Sequence, residues 1–452
     1  MYFMRPITLP APIDVVFPYF ADLSNIFEWD PNVIESGRLE LGPVRPGSRF
    51  ELAYRMGLAN LTLQYELVTL EPNHLLSFEG CGEGVQLTDR LRFTADGDQT
   101  RLTYEAQVEP KRAAAALVLR PFMERVADSV ARRLAAIFEP ETTEDRLPDS
   151  SLNPGNLSYR FTSPGWNAAR GRFRATPVTG PRRVVITGPT SGLGRSAAWT
   201  LAGRGCDLVL IGRSQTRLEQ VRSEMTECGF RGVIDLHVCD LGDLAAVRDT
   251  GAALVADGRP VDVLINNAGA LFDEPQAIDG VERTTVVDFL SPVTLACALH
   301  PLLKVAGGTV VNVVSGGLYG AKLNLGHLIE APRPFSGAKA YAQAKRALLI
   351  LTERLNTRWE ADGVRVHAMH PGWADTPGVR SSLPRFYKIT KPFLRTPFAG
   401  IDTAVWLALT NPAPGGRLWF DRAPAPEHLF PWTRETPEDR ARLQDRFAVL
   451  CD

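Results

Sequence analysis

The sequence predicts a two-part chain: an α+β unit over residues 1–140, in which an antiparallel sheet grips a long helix, and an α/β unit over residues 181–452 built on a doubly wound parallel sheet. Three observations carry this. Before residue 110, apolar and polar residues alternate with period two in several runs, the pattern of strands with one wet face. After residue 181, short and nearly continuous apolar runs alternate with helical stretches, the pattern of strands covered on both faces. A glycine-rich turn follows the first of those runs directly. At 452 residues the chain is also long for one domain.

The first part opens with a short helix over Ala11 to Phe20. Strands are predicted at Phe50–Tyr54, Leu61–Leu67, Leu75–Phe78, Val85–Thr94 and Arg101–Val108. Ala113 to Phe138 then reads as a long amphipathic helix, with Leu117, Phe122, Val126, Val130, Leu134 and Phe138 on one face. Trp29, Tyr54, Tyr65 and Phe93 are either walls of an apolar cavity or plain core, and His74 beside the turn at Glu71–Asn73 reads as surface. Residues 141–180 divide in two: an acidic, turn-rich linker, then a basic stretch from Arg160 to Arg174 with Phe161, Trp166 and Phe173 interleaved. The basic stretch fits an arm packed on the second part better than a membrane-surface helix or a nucleic-acid contact.

In the second part, strands are predicted at Arg183–Thr187, Asp207–Ile211, Val233–Val238, Val261–Ile265, Thr309–Val314 and Val364–Met369. The turn Gly188-Pro-Thr-Ser191-Gly192-Leu193-Gly194 sits between the first strand and a helix. Its glycines allow the backbone to approach a pyrophosphate, whose charge the free amides and dipole of the helix start favour. Farther on, Tyr341 and Lys345 are four residues apart and so share a helix face. An ammonium there would stabilise the phenolate and tune the phenol for acid–base work.

In order along the chain stand Thr187-Gly188-x-x-x-Gly192-x-Gly194, Asp240-Leu241, Asn266-Asn267-Ala268-Gly269, Ser315, Tyr341-x-x-x-Lys345 and Pro371-Gly372. This series resembles the short-chain dehydrogenase/reductase family across roughly residues 181–452. The resemblance implies a Rossmann-type fold that passes hydride between a nicotinamide and a carbonyl or alcohol carbon. It implies Tyr341 as proton donor or acceptor, Ser315 as hydrogen-bond partner of the substrate oxygen, and Lys345 as tuner of Tyr341 and binder of the nicotinamide ribose. Asp240 and Leu241 would flank the adenine, Asn267, Ala268 and Gly269 would line the inner half of the cofactor, and Thr376 after Pro371-Gly372 would touch the carboxamide end. The 26-residue stretch from Ser315 to Tyr341, with His370–Pro377 and a late strand at Gly416–Phe420, resembles the retinol-dehydrogenase-like branch, whose members accept apolar carbonyls and alcohols.

Two positions refine this expectation. Where the family usually carries an asparagine that supports a water relay to the lysine, this chain has Asp288, which either holds a water or adds a negative charge near Lys345 and Tyr341. After the second strand, Arg213 stands where an NAD enzyme places a carboxylate. Its planar donor fork suits a 2′-phosphate and favours NADP, the alternative being the start of a solvated helix.

The first part, with Phe27–Asn32 and Gly42–Phe50, resembles the START-like, polyketide cyclase/dehydrase superfamily, which implies binding of lipids, steroids, polyketides or aromatic ligands. A formal charge of −1 gives no basic field for nucleic acid, no Cys or His spacing suits a metal, and six scattered cysteines read as reduced thiols. No apolar run near 20 residues and no leader pattern is evident, so a cytoplasmic protein is expected, with room for peripheral membrane contact and, from the family, homo-oligomers. The expected activity is NADPH-dependent interconversion of a carbonyl and an alcohol on an apolar substrate. An NADP-binding redox or lipid sensor and a bifunctional reductase-cyclase are the alternatives.

Overall fold

The computed structural model describes residues 1–56, 59–110, 113–139, 151–176, 180, 182–330, 334–447 and 450. The side chains of Leu117 and Phe122, the linker residues 140–150 and Pro332 lie outside that description.

The first unit is a seven-stranded antiparallel sheet in the order β1-β7-β6-β5-β4-β3-β2, formed by β1 (Tyr2–Leu9), β2 (Val33–Arg38), β3 (Arg49–Met56), β4 (Ala59–Glu71), β5 (Leu75–Gly82), β6 (Val85–Asp96) and β7 (Gln99–Pro110). Helices α1 (Ile13–Ala21) and α2 (Ile26–Trp29) precede β2, and α3 (Ala113–Ile137) lies against the sheet. Alternation on β3, β6 and β7 turns Phe50, Leu52, Leu91, Phe93, Leu102 and Val108 inward, where they meet Val126, Val130 and Leu134 of α3. The sequence leaves β1 and β2 unassigned, and these are the two sheet edges. Pro6 in β1 and Gly37 in β2 are tolerated there because an edge strand pairs on one side only, and both blur the alternation.

Between the units, α4 (Leu157–Arg160) and α5 (Ser163–Arg170) form an ordered arm. Phe161, Trp166 and Phe173 are buried, Trp166 at 1% exposure, so the basic stretch is a packed arm. Arg170 donates to the carbonyl of Pro31 at 2.6 Å, and Arg133 of α3 reaches back to the carbonyl of Arg170 at 2.9 Å.

The second unit is an eight-stranded sheet in the order β10-β9-β8-β11-β14-β15-β16-β17. Its members are β8 (Arg183–Thr187), β9 (Asp207–Gly212), β10 (Ile234–Val238), β11 (Val263–Asn266), β14 (Thr309–Val313), β15 (Arg365–Met369), β16 (Leu418–Phe420) and β17 (Ala423–Pro424); β12 (Ala277–Ile278) and β13 (Val281–Glu282) make a separate small hairpin. All pairings are parallel except β16 with β17. Helices α6 (Gly192–Gly203) and α7 (Gln215–Glu227) cover one face, and α8 (Leu244–Asp257) covers the other. After α9 (Arg283–Thr285), α10 (Ser291–Ala306) and α11 (Gly337–Trp359) join the face of α8. The short α12 (Pro377–Ser382) and α13 (Pro384–Thr390) follow, α14 (Pro397–Thr410) lies beside α6, and α15 (Pro437–Phe447) packs by α11. Successive strands are laid down in one direction from β8 to β10 and in the other from β11 onward, and such a switch point opens a crevice at the carboxyl edge of the sheet.

The stretch Arg283–Ala306 is long and apolar enough to cross a membrane by composition, which its sequence does not announce, yet 78% of its apolar window is buried inside the fold. Cys81, Cys206, Cys228 and Cys239 are free thiols, whereas Cys297 is disulfide-bonded, which corrects the expectation of six reduced cysteines.

The two units meet through a buried ionic cluster. Arg422 lies between Glu28 of the first unit, at 2.8 Å, and Asp402 of α14, at 2.6 Å. Tyr19 and Thr176 donate to the same Glu28 at 2.8 and 2.5 Å. Burial works against the Glu28 carboxylate, but Arg422, Arg204 and Thr176 overcome it and hold the group below its usual range.

Candidate active site

Every motif residue of the second unit falls at or beyond the carboxyl end of a parallel strand. Gly188 leaves β8 with φ +67° and Gly192 opens α6 with φ +51°, conformations that disfavour any side chain. A Cβ at Gly194 would lie 2.2 Å from the carbonyl oxygen of Gly188 and 2.4 Å from Nδ2 of Asn267, so only glycine brings the helix start this close to the strand. Thr187 ties the next strand in: its Oγ1 accepts from the amides of Asn267 and Ala268, both at 3.0 Å, while Asn267 Nδ2 donates to the Thr187 carbonyl at 2.9 Å. Ser191 stands extended just before α6, and Leu193 in its first turn is partly buried against Gly400. This cradle fits a dinucleotide pyrophosphate, held by helix-start amides with no side chain in the way.

The outer pocket residues line the same edge. Arg213 is exposed at the end of β9, immediately before Ser214 caps α7. Asp240 Oδ1 accepts from the amide of Gly242 at 2.8 Å, and the Leu241 carbonyl accepts from Ser291 Oγ at 2.5 Å, which fixes the turn after β10. Thr376 caps α12 through Oγ1 and touches Gly192, so the loop of Pro371 and Gly372 closes over the cradle from the far side.

Ser315 follows β14 and starts a short 3-10 turn, its Oγ accepting from the amide of Gly317 at 3.2 Å. It stands beside Tyr341 on α11 and favours the ionised form of that phenol. Lys345 Nζ lies 5.5 Å from the centre of the Tyr341 ring. Asp288 sits on a π-helical turn, Val286–Leu290, that joins α9 to α10, and its Oδ1 is 3.2 Å from Lys345 Nζ. Both are almost wholly buried, and the amide of Ala270 donates to both carboxylate oxygens at 3.3 Å. A Cβ at Gly269 would come within 2.6 Å of Asp288 Oδ1, so the glycine makes room for this pair.

The electrostatics differ from the simplest expectation. Burial pushes the Tyr341 phenol up, the Asp288 charge pushes it further, and the neighbouring Ser315 hydroxyl only partly opposes them. The lysine that would lower the phenol is instead paired with Asp288. Burial raises Asp288 itself to about 6 against the pull of Lys345. Burial is thus the larger cause of the raised phenol, and the Asp288 carboxylate adds to it.

The arm completes the back wall, a contribution its position in the sequence does not announce. Phe161 packs on Gly316, the residue after Ser315, so closely that a Cβ there would lie 2.3 Å from the ring. The Phe161 carbonyl accepts from the Trp373 amide at 2.9 Å and from Arg395 Nε at 3.1 Å, beside Gly372. Arg395 in turn pairs with Asp421 at 2.7 Å.

In the first unit, Trp29, Tyr54, Tyr65 and Phe93 are all buried in the core between sheet and helix. A polar group the sequence reading misses lies with them: Asp89 accepts from Tyr104 at 2.9 Å and lies beside Tyr65. Burial raises both Asp89 and Asp30 to about 6. Its members stand on four separate strands and loops, so no local motif announces it. Elsewhere Glu427, His428 and Glu435 bring ligand atoms within 4.8 Å of one another, but Arg440 pairs with both carboxylates.

Residues 182–385 match the short chain dehydrogenase family, and residues 3–139 match the family described as polyketide cyclase / dehydrase and lipid transport. Dehydrogenase/reductase SDR family member 12 of Homo sapiens is 36% identical over 279 residues, which are 60% of this chain and 86% of the human protein. Retinol dehydrogenase 12 of Homo sapiens is 30% identical over 232 residues, 50% of this chain and 73% of that protein. Retinol dehydrogenase 13 of Homo sapiens is 28% identical over 265 residues, 54% of this chain and 79% of that protein. With the crevice at the switch point, the glycine cradle and the Ser315, Tyr341 and Lys345 cluster at one sheet edge, these likenesses make the chain a member of the short-chain dehydrogenase/reductase family that carries a START-like unit at its amino end.

Proposed function

We propose that the chain is an NADP(H)-dependent oxidoreductase that interconverts a carbonyl and an alcohol on an apolar small molecule. The observation that carries this reading is the placing of Ser315 and Tyr341 beside Lys345, on the same sheet edge as the glycine cradle. When bound, the nicotinamide would supply or accept the hydride. Gly188, Gly192 and Gly194 would admit the pyrophosphate, Asp240 and Leu241 the adenine, and Asn267 to Gly269 the inner half. Lys345 would reach the ribose, and Pro371, Gly372 and Thr376 would close on the carboxamide end. Arg213, exposed at the end of β9, supports recognition of a 2′-phosphate.

In reduction, Ser315 Oγ would orient the substrate oxygen and Tyr341 would protonate it. A phenol raised by burial and by Asp288 stays protonated at neutral pH, and this favours the reductive direction. The apolar character of the substrate is supported by two likenesses: to proteins named for retinol, and to a family named for lipid transport. Burial of the apolar helix supports a cytoplasmic setting. The test is deuteride transfer: with 4-deuterated NADPH and a panel of hydrophobic aldehydes and ketones, the alcohol product should carry one deuterium at the former carbonyl carbon. Products without deuterium would refute the reading.

A second reading, in which the START-like unit is itself a cyclase, is favoured by one observation, the buried Asp89 with Tyr65 and Tyr104. It predicts that Asp89→Asn removes a cyclised product and leaves carbonyl reduction intact.

A further inference from the structure

We propose that the cavity between the β2–β3 edge of the START-like unit and helices α6 and α14 is a second ligand site, for an amphipathic molecule with an anionic head and an apolar tail. The cavity measures about 430 Å³, within the range of small-molecule sites. Phe27 and Leu41 from the first unit, and Phe398, Ile401, Val405 and Trp406 from α14, give it apolar walls. The side chains of Arg38, Trp199 and Arg204 line it as well, at the end of α6.

Those three side chains have donors to spare. Arg38 Nη1 donates to the Gly203 carbonyl at 3.0 Å and Arg204 Nη2 donates to Asn25, but Arg38 Nε, Trp199 Nε1 and both Nε and Nη1 of Arg204 are buried with no acceptor. A buried donor left unpaired costs roughly 1–3 kcal/mol, more when it is charged. Four such N–H-bearing atoms on side chains of one cavity call for an acceptor group, and two of the three side chains are cationic. Of the nearby carboxylates, Asp402 is spanned by Arg422 at 2.6 and 2.9 Å, Glu35 is raised by its burial, and Glu51 is exposed at the rim. Glu28 feels the Arg204 charge but takes its hydrogen bonds from Tyr19, Thr176 and Arg422, so the Arg204 donors stay unpaired. A carboxylate or phosphate head at the arginines, with its tail along α14, meets the unpaired donors and the apolar wall together.

This site is separate from the hydride-transfer site. Helices α6 and α14 cover one face of the parallel sheet, and α11 with Tyr341 and Lys345 covers the other. One element joins the two sites: α6 begins at the glycine cradle and ends at Arg204, its carboxyl-terminal cap.

Isothermal titration calorimetry on the full chain tests the proposal, with decanoate, decyl phosphate and 1-decanol as probes. At least one anion should bind about tenfold or more tighter than 1-decanol. Arg204→Gln, which removes head-group donors, and Val405→Trp, which fills the tail space, should each raise the Kd of that anion about tenfold without moving the Kd of NADPH. The comparison of decanoate with decyl phosphate identifies the head group. Equal binding of the alcohol and both anions, or a Kd for the anion unchanged within about twofold in both variants, would overturn it. The readout needs no turnover, so its failure is distinct from failure of the reductase reading.

Discussion

Lys345 Nζ and Asp288 Oδ1 lie 3.2 Å apart, both almost wholly buried, and this pair governs how Tyr341 behaves. The Asp288 charge raises the phenol, and burial has already raised it. In alcohol oxidation Tyr341 must lose its proton, so the rate climbs as pH rises through the phenol pKa. Asp288→Asn removes the negative charge, and the alkaline limb of the kcat/KM profile for oxidation should move to lower pH. Asp288 titrates near 6, so the difference between variant and wild type should shrink below that pH, where the wild-type carboxyl is itself neutral. An identical alkaline limb in both proteins would remove Asp288 from the account.

The proposed preference for NADP rests on Arg213, which is exposed at the end of β9. Arg213→Ala should weaken NADPH binding by about tenfold or more and leave NADH binding nearly unchanged, consistent with loss of a charge-assisted, two-pronged contact. Equal losses for the two cofactors in a binding titration would assign Arg213 to the solvated start of α7 instead.

The cluster at Arg422 joins the units as well as neutralising them. Arg422→Met would leave Glu28 and Asp402 buried without their shared cation, and removing one partner of a buried pair costs about 3–5 kcal/mol. Urea unfolding should register a loss of that size. A loss under about 1 kcal/mol would mean that water reaches the carboxylates freely.

Phe161 supports the Ser315 turn from behind. Phe161→Ala would open a void against Gly316, Tyr319, His370 and Phe420, at a cost of about 3–5 kcal/mol for a large buried aromatic. Beyond the fall in melting temperature, kcat should drop more than KM rises, because the Ser315 hydroxyl loses its fixed position. A stable variant with unchanged kcat would show that the arm does not position the site.

Much of this was legible in the sequence, for identifiable reasons. Five of the six parallel strands stood out because burial on both faces makes them largely apolar, whereas β10, at the sheet edge, is only half-buried. The glycine turn and the Tyr341–Lys345 spacing stood out because close approach and a shared helix face each demand particular residues at fixed offsets. Edge strands β1 and β2 were hidden because a strand paired on one side tolerates Pro6 and Gly37. Long-range pairings were hidden for a different reason. Arg422 with Glu28, 394 residues apart, and Phe161 against Gly316 leave no periodicity for a local reading to detect. Asp288 was visible as a departure from the family pattern, but only the fold shows that it takes Lys345 as its partner.

The central claim is that Tyr341 moves the proton during hydride transfer, and NADPH oxidation by the wild type and Tyr341→Phe with a series of hydrophobic aldehydes and ketones tests it most directly. NADPH binding is to be followed in parallel by fluorescence. Proton transfer by Tyr341 predicts turnover in the wild type, a fall in kcat/KM of about 10²–10⁴-fold in Tyr341→Phe, and an NADPH Kd changed by less than about threefold. Turnover that survives undiminished in Tyr341→Phe would contradict it, as would tight NADPH binding by the wild type with no turnover of any carbonyl in the series.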